Sequence, residues 1–168
     1  EPKLFIMQEE KKRAAIETMD SLARIEKEKN SSYRSTAKKL KSGVEIFHIN
    51  KGNGIKPIEG DEIFFYYQGY LAVNGVLFGT NRKEIMLNYD MYSAEDENKG
   101  WYDPSKITYS NEMQLIQGFK EVLMMMNVGD KIYAYIPSDM GYGDRAMGNR
   151  IPANSDLEFI IELVDISN

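Results

Sequence analysis

Hydrophobic and polar positions follow two rhythms along this chain, and the change falls at Ser42-Gly43. Residues 4–41 contain no Gly and no Pro and are rich in Ala, Leu, Glu, Lys and Arg, which predicts helix. Ile16, Met19 and Ala23 recur at helical spacing, with Phe5 ahead of them, as a narrow apolar stripe. The run Asn30-Ser31-Ser32 predicts a break or an N-cap between two helices. So thin a stripe cannot hold up an isolated helix, so the arm is expected to dock on the rest of the chain, on a second copy or on an adjoining domain.

After Gly43 the period becomes two. Val44 to Ile49 reads as a strand, Gly52-Asn53-Gly54 as a turn, and Glu62 to Leu71 as a second, aromatic-rich strand. Asn74-Gly75 predicts a hairpin into Val76-Leu77-Phe78. Residues 113–126 read as a short apolar helix that ends in Met124-Met125-Met126, expected as core filling. Strands follow over Lys131–Ile136 and Leu157–Ile166. Five or so antiparallel strands around one helix make an α+β fold. The expected organisation is a helical arm or linker over 1–42 and a domain over 43–168. A long loop at about 79–106 interrupts the domain and fits neither period.

Composition then removes whole classes of chemistry. The 168 residues include no cysteine and one histidine, His48, so disulfides, thiolate nucleophiles and multi-histidine metal sites are excluded. His48 alternates with apolar neighbours in a strand, far from any serine motif, and is expected to be structural. The net charge of −5 argues against nucleic-acid binding. It divides unevenly: residues 1–42 carry 11 basic and 7 acidic side chains, the remainder 10 and 19. The acidic residues between 90 and 103 lack the D-x-D-x-D-G spacing of a calcium loop, so no metal is expected there. No apolar run reaches the ~18 residues of a membrane span. The chain starts Glu1-Pro2 and is read as a piece of something longer.

No side chain stands out as a nucleophile or general acid. What stands out is a set of aromatics at turns and strand ends: Tyr66, Tyr67, Phe78, Tyr109, Phe119, Tyr142 and Phe159. Their flanking motifs form an ordered series that resembles the FKBP family of peptidyl-prolyl cis-trans isomerases. Gly43-Val44-Glu45-Ile46 through Gly52-Asn53-Gly54 is similar to the family's opening strand and turn. Phe65-Tyr66-Tyr67-Gln68-Gly69-Tyr70-Leu71 resembles its V-H-Y-T-G-x-L strand, and Asn74-Gly75-Val76-Leu77-Phe78 its hairpin. Leu115-Ile116-Gln117-Gly118-Phe119 and Met126-Asn127-Val128-Gly129 resemble its V-I-x-G-W helix and M-x-x-G turn. Pro137 to Gly143 resembles its P-x-x-x-A-Y-G loop, and Ile151 to Phe159 its I-P-P-x-x-x-L-x-F end. The resemblance spans 43–168 and leaves out the arm.

The resemblance implies an Xaa-Pro isomerase that serves as a folding factor, with no cofactor. It implies a catalytic pocket of Tyr67, Phe78, Ile116, Phe119, Tyr142 and Phe159, with Tyr109, Leu115 and Ile151 contacting substrate. Phe119 stands where the family has a tryptophan floor. The Tyr142 hydroxyl and the Ile116 N–H would donate to substrate carbonyls. Clients would be proline-containing polypeptides, and macrolides could enter the same pocket. Helical arms before such domains dimerise some envelope chaperones, so the resemblance implies either a homodimer or an adjoining domain at the arm, and a cell-envelope or periplasmic setting with a cytoplasmic one as the alternative. Two departures are visible. Gly79 replaces the aspartate that normally follows the hairpin phenylalanine, which leaves open a slower enzyme or a proline-peptide binding module with little turnover. The 29-residue run from Phe78 to Ile107 is longer than the family needs, and its Trp101 is expected to wall or lid the site.

Overall fold

The period-two pattern becomes strands β1 (Lys38–Lys39), β2 (Glu45–Asn50), β3 (Glu62–Leu71), β4 (Leu77–Thr80), β5 (Ser105–Thr108), β6 (Lys131–Ile136) and β7 (Leu157–Ser167) in a computed structural model that describes residues 2–167. They form one antiparallel sheet in the order β1-β2-β6-β7-β3-β4, with β5 also paired to β3. Among the described residues that makes seven strands, where the sequence suggested about five. The surplus is β1 and β5, pieces of two and four residues, too short to display an alternation.

One face of the sheet carries the core. Ile63, Ile132, Ala134, Ile136, Leu157, Ile161 and Leu163 are buried there with helix α4 (Gln117–Met124), whose Val122 and Leu123 are fully buried. The helix is shorter than the 113–126 expected, since residues 113–116 approach it as a turn and an extended step at Ile116 (φ −57°, ψ 147°). Met126 joins this core, as its apolar surroundings required, whereas Met125 stays exposed.

The opposite face is covered by the arm. Helix α1 runs unbroken from Pro2 to Ser35, so the break expected at Asn30-Ser31-Ser32 does not occur, and 36–41 leave the helix to form β1. Those polar residues serve packing instead: Asn30 is fully buried, and the Ser35 hydroxyl donates to the Ser32 carbonyl. Tyr33 stacks on Phe47 at 5.8 Å and lies 5.6 Å from Tyr133. The Arg34 guanidinium sits 3.5 Å over the Tyr135 ring and pairs with Glu45 at 2.9 Å. Ala23 presses on the β3–β4 hairpin, where a Cβ on Gly75 (φ +76°) would fall 2.2 Å from the Ala23 carbonyl oxygen. The arm therefore docks through residues 23–34, while Phe5, Ile16 and Met19 of the apolar stripe remain exposed.

Beneath α1 lies a buried carboxyl, Glu158, which accepts a hydrogen bond from Tyr133. Burial raises its pKa above 4.5, partly offset by Tyr133 and by the charges of Arg34 and Lys27. A raised carboxyl binds its proton more tightly in the folded chain than in the unfolded one. Its favourable contribution is therefore complete below about 4.5 and is lost as pH rises through the folded pKa. Glu158→Gln keeps an acceptor for Tyr133 and removes the charge. Urea midpoints of this variant should gain on wild type progressively from pH 4 to pH 7. A constant difference across that range would show that the buried charge is not what matters.

The stretch read as a featureless loop holds helices α2 (Lys83–Asn88) and α3 (Ala94–Asn98). Asn81 anchors both its ends to β3: its amide donates to the Phe65 carbonyl (3.0 Å) and Ser105 Oγ (3.1 Å), and its oxygen accepts the Tyr67 N–H (2.9 Å). Acidic residues of this stretch sit in a helix first turn and in an ion pair. Ser93 caps α3, whose first turn carries Glu95, Asp96 and Glu97, and Glu97 meets Lys83 at 2.9 Å. Among the described residues no three His, Asp or Glu side chains gather as a metal site would need. The insertion also lies near the arm: burial and then the charge of Glu26 push the Tyr89 phenol up to about 12.

Candidate active site

Where the sheet curls away from the start of α4, aromatic rings enclose a cleft of about 1310 Å³. Phe119 forms its floor. It meets Phe159 edge-to-face (5.1 Å, 89°) and Tyr67 edge-to-face (6.1 Å, 84°), and Phe65 tilts against it at 5.6 Å. Phe78 stands edge-on to Phe159 at 5.5 Å. Such edge-to-face sets fix ring positions, because each positive rim faces a negative face. The Phe78 and Phe159 rings also fill the place above Gly69, where an added Cβ would lie 2.6 and 2.7 Å from them. Any side chain at 69 would displace both rings.

Two donors face this apolar box. Ile116 precedes the first turn of α4, and its N–H has no acceptor among the described residues. Tyr142 enters from the loop after β6, and its hydroxyl likewise has no partner among them. Burial, and then the nearby Tyr142, raise the Tyr67 phenol, so it stays a neutral donor at physiological pH. The rim is basic, with Lys106, Lys120, Arg145 and Arg150 around a single carboxylate, Glu112. Arg150 reaches across to donate to the Phe78 carbonyl at 3.1 Å.

The structure thus gathers Tyr67, Phe78, Leu115, Ile116, Phe119, Tyr142, Ile151 and Phe159 around one cleft. Tyr109 is not in the lining: it is buried in the core and its hydroxyl donates to the Met124 carbonyl at 3.0 Å. Trp101 is not in it either, but borders a neighbouring groove. Phe65 and Met113 were missed as lining residues. Alternation from Tyr67 would have placed Phe65 on the same face.

The family model for FKBP-type peptidyl-prolyl cis-trans isomerases matches residues 53–164. The chain belongs to this FKBP family. The domain is 31% identical over 136 residues to FK506-binding protein 1 of Aspergillus oryzae, covering 74% of this chain and 99% of that one. It is 28% identical over 127 residues to the outer membrane protein MIP of Legionella longbeachae, covering 76% of this chain but 46% of that one. A solved peptidyl-prolyl cis-trans isomerase from Pseudomonas syringae superimposes with a TM-score of 0.59 at 22% identity, over 89% of this chain and 96% of the other, which shows the shared fold. This FKBP domain is accordingly an enzyme that isomerises Xaa-Pro bonds.

Proposed function

We propose that the cleft between Phe119, Tyr67 and Phe159 is where the FKBP domain twists its prolyl bond, in the service of protein folding. The observation that carries this is the combination of an aromatic box with two donors, the Ile116 N–H and the Tyr142 hydroxyl, that have no acceptor among the described residues.

The chemistry needs little more. No bond is broken; the barrier to C–N rotation is ~18–20 kcal/mol because resonance keeps the amide planar. Proline is the suitable substrate because its cis and trans states differ by only ~0.5–1 kcal/mol. At the twisted geometry resonance is lost and the carbonyl becomes less polar. A dry aromatic site therefore stabilises the twisted state relative to the planar one. Phe119 would carry the pyrrolidine ring, while Ile116 and Tyr142 would hold carbonyls on either side of the rotating bond. Macrolides of the kind for which the Aspergillus relative is named would enter the same box and compete with peptide.

Exchange NMR on a short Leu-Pro peptide tests the assignment. Wild type should speed cis/trans exchange, and Tyr142→Phe should lower kcat/KM by about tenfold, the worth of one hydrogen bond made to the twisted state. Equal rates for the two proteins would remove Tyr142 from the mechanism.

A further inference from the structure

A second concavity, of about 820 Å³, opens directly off the proline cleft. The two share a wall of Tyr67, Phe78, Gly79, Ser105 and Arg150. Gly79 presents no side chain to that wall, and a Cβ placed there would still stand 3.8 Å from the Tyr67 hydroxyl. The far side belongs to parts of the chain outside the ordinary domain. The insertion supplies Met86, Met91, Trp101 and Tyr102, and α1 supplies Met19. Met19, Met91 and Trp101 are 41%, 38% and 61% exposed, so their apolar surface faces solvent unused.

The geometry points to this groove as an extended client-binding subsite, which takes apolar side chains of the polypeptide flanking the proline already seated on Phe119. The occupant follows from adjacency: Tyr67, Phe78, Gly79, Ser105 and Arg150 line both cavities, so a chain leaving the proline cleft over Gly79 meets the groove next. Its chemistry follows from the lining. Three unbranched thioethers beside an indole and a phenol make a surface that adapts to many apolar shapes rather than selecting one. A protein that acts on unfolded chains gains from such breadth, because the residues around its prolines vary. The insertion and the arm, which line the groove together, would then add affinity for long clients without altering the chemistry at the proline. The inference rests on the cleft being the isomerase site.

Trp101 is the single tryptophan of the chain, which makes the groove its own reporter. Two substrates are compared: a blocked tetrapeptide containing Leu-Pro, and a twelve-residue peptide with the same core and Leu, Met and Phe on both flanks. The long peptide should shift Trp101 emission to the blue and show a KM about tenfold below that of the short one, which leaves the emission unchanged. Met91→Glu and Met19→Glu, both at exposed positions, should abolish the shift and raise KM for the long peptide about tenfold. They should leave the tetrapeptide rate within twofold and the urea midpoint unchanged. The inference is overturned if saturating long peptide leaves the emission unmoved, or if the variants slow both substrates alike. Should wild type speed neither peptide while the emission still shifts, the groove binds clients and it is the isomerase assignment of the cleft that fails.

Discussion

Gly79→Asp is expected to raise kcat/KM for a short Leu-Pro peptide by about tenfold, equivalent to ~1.4 kcal/mol of transition-state stabilisation. The position lies in β4 opposite Gly69, with a backbone conformation open to any residue. An added Cβ makes ordinary contact with Tyr67 (3.8 Å to its hydroxyl, 3.9 Å to its ring), so a carboxylate one bond further out reaches hydrogen-bonding distance of that phenol. Tyr142 lies close enough to Tyr67 to help raise the pKa of its phenol. Fixing the first hydroxyl should therefore fix the second, which is the one proposed to grip substrate. The absent acceptor leaves a polar contact unmade in a nearly dry site, a loss of ~1–3 kcal/mol. Exchange NMR on wild type and variant decides it, with Tyr142→Phe in the same background as control. A folded Gly79→Asp protein with unchanged kcat/KM would mean that the glycine does not limit turnover.

Removing residues 1–37 is expected to destabilise the remaining domain by about 3–5 kcal/mol, with aggregation following. The truncation would strip cover from Tyr133, Tyr70, Ile160 and Glu158, which are 0%, 1%, 2% and 4% exposed in the whole chain. It would also delete the Arg34–Glu45 pair, the Arg34–Tyr135 contact and the Tyr33 stack. Removing only residues 1–15 should leave the urea midpoint where it was, because residues 3–15 are all exposed. Identical midpoints for all three proteins would show that the arm does not contribute to the stability of the sheet.

The strands were legible because one face of β3, β6 and β7 is apolar and its alternation is long enough to read. The aromatic cleft was legible for a related reason: its rings come from those same strand ends and from the start of α4. The missed features share a different cause. Helices of six and five residues, α2 and α3, span less than two turns and cannot establish a period. The docking face of α1 uses Asn30, Tyr33 and Arg34, residue types that a search for apolar stripes passes over. Asn30 and the serines beside it read locally as a cap, and only tertiary burial decides otherwise. Tyr109 carries a pocket residue's chemistry, yet a carbonyl at the end of α4 already occupies its hydroxyl. Trp101 was sensed as a wall, but which cavity it borders depends on how the insertion folds back over β4.

The free half of α1 has a mechanical consequence. Residues 3–18 are exposed and lie ahead of Met19, which lines the groove, and helix of that length extends about 24 Å at 1.5 Å per residue. The docked half clamps the axis, so this overhang behaves as a lever of set length and set rotational phase. Whatever is joined ahead of it would hold the proline cleft at a fixed standoff. Lengthening the helix by one residue would move the cleft only ~1.5 Å further away but swing it about 100° around the axis.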